Sequence, residues 1–355
     1  MNSRERVLAA INREPVDRVP TDIWATEEVW CLLEGEFGSR EATRTALHID
    51  GIASIEPEYT GPPLPDVPEG ETIDFWGMKT IRQNHSGGIY DEQYFFPLAE
   101  ATTIEDLDRY AWPTTDWFDY SNLRRDAEAA GEAQVVMCGY MAPFFFHNKL
   151  RGLEQSLMDP LCDPQLTHEI IERISDFFYE HHRRMFIAAD GLIDIAQVTD
   201  DLGSQTGPLI SPELYETFYA SQHQRFIDLC HEFGIKVFHH DDGSCRRFLP
   251  LLIDMGIDVL NPIQWTCPGM EMPALKRDFG DRICFHGAIE NQRVMPFGTP
   301  EEVRAEVRHC IDALASDGTG YILAPCHNLQ GNTPLANIIA LYDEAWRYGE
   351  TGGSR

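Results

Sequence analysis

Two short segments far apart in the chain hold its most reactive combination of side chains. His239-His240-Asp241-Asp242-Gly243 follows the apolar run Ile235-Lys236-Val237-Phe238, and Cys326-His327 follows Tyr321-Ile322-Leu323-Ala324. Side chains alternate along an extended segment, so His240 and Asp242 face one way while His239 and Asp241 face the other. Gly243 lets the chain turn away. If Cys326 arrives from a second strand end, the set His240, Asp242 and Cys326 offers nitrogen, oxygen and sulfur to a borderline-soft divalent cation, with Zn2+ the first candidate. Three protein ligands leave one position open for water or a substrate atom, as in a reactive zinc site. His327 is a substitute ligand, a group behind the ligands or a donor to substrate. Motif shape alone fits a second reading equally, in which His240 is a hydrogen-bonded core histidine and Cys326 a buried thiol.

Other strand ends carry polar groups of the same kind. Gln197 precedes Asp200 and Asp201, where an apolar strand gives way to Gly203. At least one of these carboxylates is expected to face the cavity as a cation ligand or base, and capping a helix is the alternative use of such a pair. The run Ile283 to Gln292 brings His286, and Glu290 as a general acid/base or fourth ligand. Asn261 and Gln264 suit neutral hydrogen bonding to a substrate. Asp22 and Trp24 share one face of an extended run and would floor the pocket. Phe146 and Asn148 belong to the aromatic stretch Pro143 to Asn148, which either shapes a pocket wall or packs against a neighbouring helix. Glu290, Asp201 and His327 are thus the candidates for moving protons.

Strand-like runs recur at 19–23, 51–56, 135–140, 192–198, 235–239, 259–262, 283–287 and 321–324, with helical segments between them. Eight βα units make a (β/α)8 TIM barrel the natural closure, although doubly wound sheets use the same units. Ser211-Pro212 starts a helix that is expected to run to Phe233, Thr299-Pro300-Glu301-Glu302 forms a capping box, and Thr333-Pro334 opens the last helix. No linker or low-complexity tract divides the chain. One barrel domain over residues 1–350 is expected, with an excursion near 59–100 that holds Trp76 and the strand Thr80-Ile81-Arg82, and a tail at 351–355.

The 355 residues contain 28 Lys plus Arg against 58 Asp plus Glu, a formal net charge of -30. Such a surface repels phosphate backbones and anionic lipids, which argues against nucleic acid and membrane partners. The nine cysteines form no C-x-x-C pair. With no apolar run near eighteen residues and no signal peptide, a cytoplasmic enzyme acting on a small molecule is the expectation, with a homodimer as its candidate assembly. The glycine fingerprints of dinucleotide and P-loop sites and the G-x-S-x-G elbow are missing.

The run Arg4-Glu5-Arg6 to Arg18-Val19-Pro20, the stretch Asp258-Val259-Leu260-Asn261-Pro262-Ile263-Gln264, the segment Leu275 to Gly280 and Gly320 to Asn328 resemble the uroporphyrinogen decarboxylase superfamily. The resemblance covers nearly the whole chain and implies a (β/α)8 barrel. It admits two branches. Decarboxylases of the polyanionic tetrapyrrole carry an N-terminal arginine motif, but here Pro20-Thr21-Asp22-Ile23-Trp24-Ala25-Thr26-Glu27-Glu28 has no arginine. The zinc methyltransferases of the superfamily hold the metal on H-x-C and a later cysteine. That implies His240, Asp242 in place of the first cysteine, and Cys326. It also implies methyl transfer between a small molecule and a corrinoid supplied by a partner protein. A lyase acting on a small non-tetrapyrrole substrate and a non-catalytic barrel are the alternatives.

Overall fold

The computed structural model describes residues 1–85 and 88–350, so the expected tail at 351–355 lies outside the described residues. Seven parallel strands follow one another around the molecule: β1 (Ile52–Ile55), β2 (Val135–Met141), β3 (Ile195–Val198), β4 (Lys236–His240), β5 (Val259–Asn261), β6 (Cys284–Ile289) and β7 (Tyr321–Pro325). Residues 19–23 fill the eighth place. The Asp22 amide donates to the Leu323 carbonyl at 3.0 Å on one side, and the Gly51 amide donates to the Thr21 carbonyl at 2.9 Å on the other. The sheet thereby curls into a (β/α)8 barrel built from all eight strand runs read in the sequence.

Strand alternation sorts the side chains. Val135, Ile195, Phe238, Val259, Cys284 and Ile322 point inward and pack on Val7, Ala10 and Ile11 of the helix Ser3–Ile11, which closes the N-terminal end of the barrel. Two residues further along β3, β4, β5 and β6, on the same face, come Gln197, His240, Asn261 and His286. An apolar floor thus carries a polar layer directed at the C-terminal rim, where enzymes of this architecture place their sites.

The outer helices follow their caps. Thr299 and Glu302 form the reciprocal box at the start of Pro300–Leu314, and Ser211 caps Pro212–Phe218. The helix expected to continue to Phe233 is instead two, Pro212–Phe218 and Ala220–Glu232, separated at Tyr219, whose hydroxyl bonds His147 Nδ1 at 2.9 Å. Between β1 and β2 the chain makes a three-stranded antiparallel sheet, Glu71–Ile73, Lys79–His85 and Gly88–Phe95. Trp76 beside it is buried against Phe146, Phe177 and Phe178. No helix among the described residues is long and apolar enough to cross a membrane.

Candidate metal centre

His240, Asp242 and His327 each bring one ligand atom to the C-terminal rim, and these atoms all lie within 4.8 Å of one another. His240 Nε2 stands 3.8 Å from Asp242 Oδ2 and 3.7 Å from Asp201 Oδ1. These separations are too long for hydrogen bonds and suit donors arranged around a cation. Two imidazoles and a carboxylate are a donor set for a divalent metal ion, with the Asp201 carboxylate adjacent. Burial pushes the Asp242 carboxyl up, His240 and His327 oppose that shift, and Asp201 adds to it. Burial pushes the His327 imidazole down against the pull of Asp242, and the neutral ring is the metal-binding form.

Cys326 is not in this group. Its thiol donates to the Ile263 carbonyl at 3.4 Å, and burial raises it well above an ordinary thiol. The physical reason is that the strand ends at Pro325: Cys326 and His327 lie in a bend, so the inward alternation that Ile322 begins no longer applies, and the turn carries His327 toward His240 while Cys326 bonds on the β5 side. Among the described residues the imidazole of its neighbour, and not its thiol, joins the group.

Two loops hold the cluster together by close backbone contact. A Cβ on Gly203 would fall 2.3 Å from the Asp242 carbonyl oxygen, and one on Gly243, at φ +79°, would fall 2.5 Å from that of Ser204. Only glycine permits this interlock, which sets Asp201 beside the Asp242 amide at 3.4 Å. Gln264 braces the same turn by accepting from the Gly243 amide at 2.8 Å. Asp241 faces away and accepts from the amides of Leu202 and Gly203, both at 3.0 Å.

The paired carboxylates on the β3 loop divide their work. Asp200 accepts from the amides of Phe144 and Phe145 at 3.0 and 2.8 Å, capping the helix Pro143–Arg151, while Asp201 faces the cluster. The aromatic stretch is therefore a helix. Phe146 packs on Trp76 and Phe178, and Asn148 accepts from the Ser156 hydroxyl, so neither forms a wall of the cavity beside the cluster.

Glu290, expected to move protons, takes another role. Its two oxygens accept from the amides of Gln292, Arg293 and Val294 at 2.6 to 3.0 Å and cap the short helix Val294–Phe297. An acidic residue just ahead of a short apolar run is a signal from which this cap could have been read.

Asp22, Asn261 and His286, expected to contact substrate, are buried and bonded to one another. His240 Nδ1 lies 2.5 Å from Asn261 Oδ1, Asn261 Nδ2 lies 2.7 Å from His286 Nδ1, and His286 Nε2 lies 3.0 Å from Asp22 Oδ2. Trp24 stacks on His240 with ring centroids 5.6 Å apart and donates to Asp22 at 3.1 Å. Gln197 is half-buried in register with Phe238. A cavity of about 540 Å³ opens beside the cluster and is lined by Asp242, His327, Cys326 and carboxamides that include Gln264, Gln205 and Asn291. No lysine or arginine lines it among the described residues.

Known proteins share this arrangement at the level of fold. A solved methyltransferase from Methanosarcina mazei superposes with a TM-score of 0.67 at 17% identity, covering 98% of this chain and 99% of that one. A B12-independent methionine synthase from Shewanella sp. W3-18-1 gives a TM-score of 0.51 at 11% identity, covering 93% of this chain and 98% of its own. In sequence, a methylated-thiol–coenzyme M methyltransferase of Methanosarcina mazei is 27% identical over 203 residues, which is 56% of this chain and 49% of that protein. The match thus spans about half the length of that methyltransferase. A uroporphyrinogen decarboxylase of Methylibium petroleiphilum is 29% identical over 373 aligned positions, 98% of this chain and 94% of that enzyme. These relatives are enzymes, and the kinship supports an enzymatic role in general. The profile of the family described as Uroporphyrinogen decarboxylase (URO-D) matches residues 86–348, well over half of the sequence, and the chain belongs to that family.

Proposed function

We propose that this barrel is a zinc-dependent methyltransferase that moves a methyl group between a small molecule and a corrinoid carried by a partner protein. The observation behind the proposal is the convergence of His240, Asp242 and His327 within 4.8 Å beside an open cavity. Zinc bound there would act as a Lewis acid on the heteroatom that carries or receives the methyl group. His240 and His327 would supply nitrogen, Asp242 would supply charge, and Asp201 would take up or return a proton at the open position. A nitrogen and oxygen donor set withdraws more electron density than thiolates do, which favours activation of an ether, alcohol or amine. Decarboxylation of a polyanionic tetrapyrrole finds no counter-charge, because the cavity lining lacks cationic side chains among the described residues.

Protein purified without chelator is expected to hold close to one zinc per chain, to lose it in His327→Ala and Asp242→Ala, and to keep it in Cys326→Ala. Zinc-loaded wild type should demethylate methylcobalamin with an acceptor, or methylate cob(I)alamin from a donor, and the two zinc-free variants should not. Loss of zinc in Cys326→Ala alone would restore the thiolate set. A folded wild type that binds no divalent metal would remove the proposal.

A further inference from the structure

We infer that Asp22 positions the proposed ligand His240 through a one-way chain of hydrogen bonds, so that the Nε2 lone pair is presented to the metal centre before any metal arrives. This rests on the reading of His240 as a ligand, but its structural basis is independent of metal. Asp22, Asn261 and His286 are at most 2% exposed and His240 is 8% exposed, so neither substrate nor bulk water competes for their polar atoms.

The direction of each step follows from donor and acceptor chemistry. A carboxylate only accepts, so His286 Nε2 carries the hydrogen that faces Asp22 Oδ2 at 3.0 Å. At its other nitrogen, His286 Nδ1 faces Asn261 Nδ2 at 2.7 Å, and an amide NH2 only donates, so Nδ1 accepts. The amide orientation of Asn261 is thereby set, and its Oδ1 faces His240 Nδ1 at 2.5 Å. An amide oxygen only accepts, so His240 holds its proton on Nδ1 and Nε2 is left bare. That bare nitrogen is the atom 3.7 Å from Asp201 and 3.8 Å from Asp242.

Asp22 is itself locked. The Ile52 amide donates to Oδ1 at 3.1 Å, and Trp24 Nε1 donates to Oδ2 at 3.1 Å while its ring stacks on His240. One carboxylate on residues 19–23 therefore governs both the tautomer and the ring plane of an imidazole on β4. Asp22, His286 and Asn261 are positioning residues. None touches the cavity.

Asn at position 22 offers a single acceptor oxygen. Turned toward Ile52, it aims an NH2 group at His286 and reverses the chain, which places the proton on His240 Nε2 and blocks metal binding. Imidazole 15N NMR of the metal-free protein should show His240 protonated on Nδ1 in wild type and shifted toward Nε2 in Asp22→Asn. Zinc affinity should fall about 10–100-fold in that variant. Asn261→Asp accepts from His240 whatever Asp22 does, so the double variant Asp22→Asn/Asn261→Asp should recover the Nδ1 tautomer and most of the affinity. Wild-type protein with the proton on Nε2, or a folded Asp22→Asn with unchanged zinc affinity, would overturn the inference. If Asp22→Asn does not fold, the wild-type spectrum still decides. A wild type with the Nδ1 tautomer but no zinc affinity would sink the metal reading and leave the chain of hydrogen bonds standing.

Discussion

The two ends of the barrel treat charge in opposite ways. At the N-terminal end, the fully buried Asp50 carboxylate sits between two guanidinium groups, Arg6 at 2.6 Å and Arg18 at 2.8 Å, and also accepts from the Thr21 amide at 3.0 Å. At the C-terminal end, Asp201 and Asp242 approach only His240 among the described ion pairs, at 3.7 and 3.8 Å, with His327 close by. Charge at the first end is neutralised inside the fold. Charge at the second is gathered and left for something outside the chain to neutralise. The contrast separates a group that holds the protein together from a group that the protein holds in place.

The sharpest way to break this distinction is to remove Asp50. Asp50→Ala takes from buried Arg18 its carboxylate partner and leaves Arg6 with Asp17 alone, and is expected to lower stability by about 3–5 kcal/mol in chemical denaturation. Zinc affinity of the molecules that remain folded should be unchanged. A stable Asp50→Ala protein would show that the closed end is no more structural than the open one.

The open end predicts the reverse. In metal-free protein, Asp201→Asn and Asp242→Asn remove carboxylates that lack a cationic side-chain partner, so unfolding free energies should stay within about 1 kcal/mol of wild type. Zinc at a hundred times its dissociation constant should then stabilise wild type by about 2.7 kcal/mol and Asp242→Asn by little. A large loss of stability in either metal-free variant would make the cluster part of the folding framework.

How much of this was legible in the sequence depends on whether a residue's role is local. Barrel strands, capping boxes and the orientation of His240 with Asp242 follow from alternation and cap chemistry, which adjacent residues encode. Choosing His327 over Cys326 needs the angle at which β7 leaves the barrel, and spacing along the chain does not carry it. Glu290, and one of Asp200 and Asp201, were expected to face the cavity because a carboxylate at a strand end suits acid/base work and helix capping equally. The amides that Asp200 caps belong to a helix more than fifty residues away. Asp22, Asn261 and His286 were visible as polar strand-end residues on inward faces. Their mutual hydrogen bonds arise only when three separate strands become neighbours.

The barrel wall supplies the weakest and most specific test, because an unpartnered polar atom there is fully buried. His182 donates from Nδ1 to the Phe178 carbonyl at 2.7 Å, and its buried Nε2 has no hydrogen-bond partner. That nitrogen packs so closely on Gly139 that a Cβ there would fall 2.1 Å away. Burial lowers its pKa to about 4, opposed by the Phe178 carbonyl. With an unfolded value of about 6.5, the unfolded chain binds the proton more readily between these limits. The neutral ring's contribution is complete above about pH 6.5 and is lost as pH falls toward 4. Stability of the metal-free protein should drop over that window, and His182→Leu should flatten the slope by at most about 1.4 kcal/mol per pH unit. The same variant should leave zinc affinity at neutral pH untouched. If it weakened zinc binding instead, a lone unsatisfied nitrogen in the wall would be acting on the rim, and the separation between framework and site would fail.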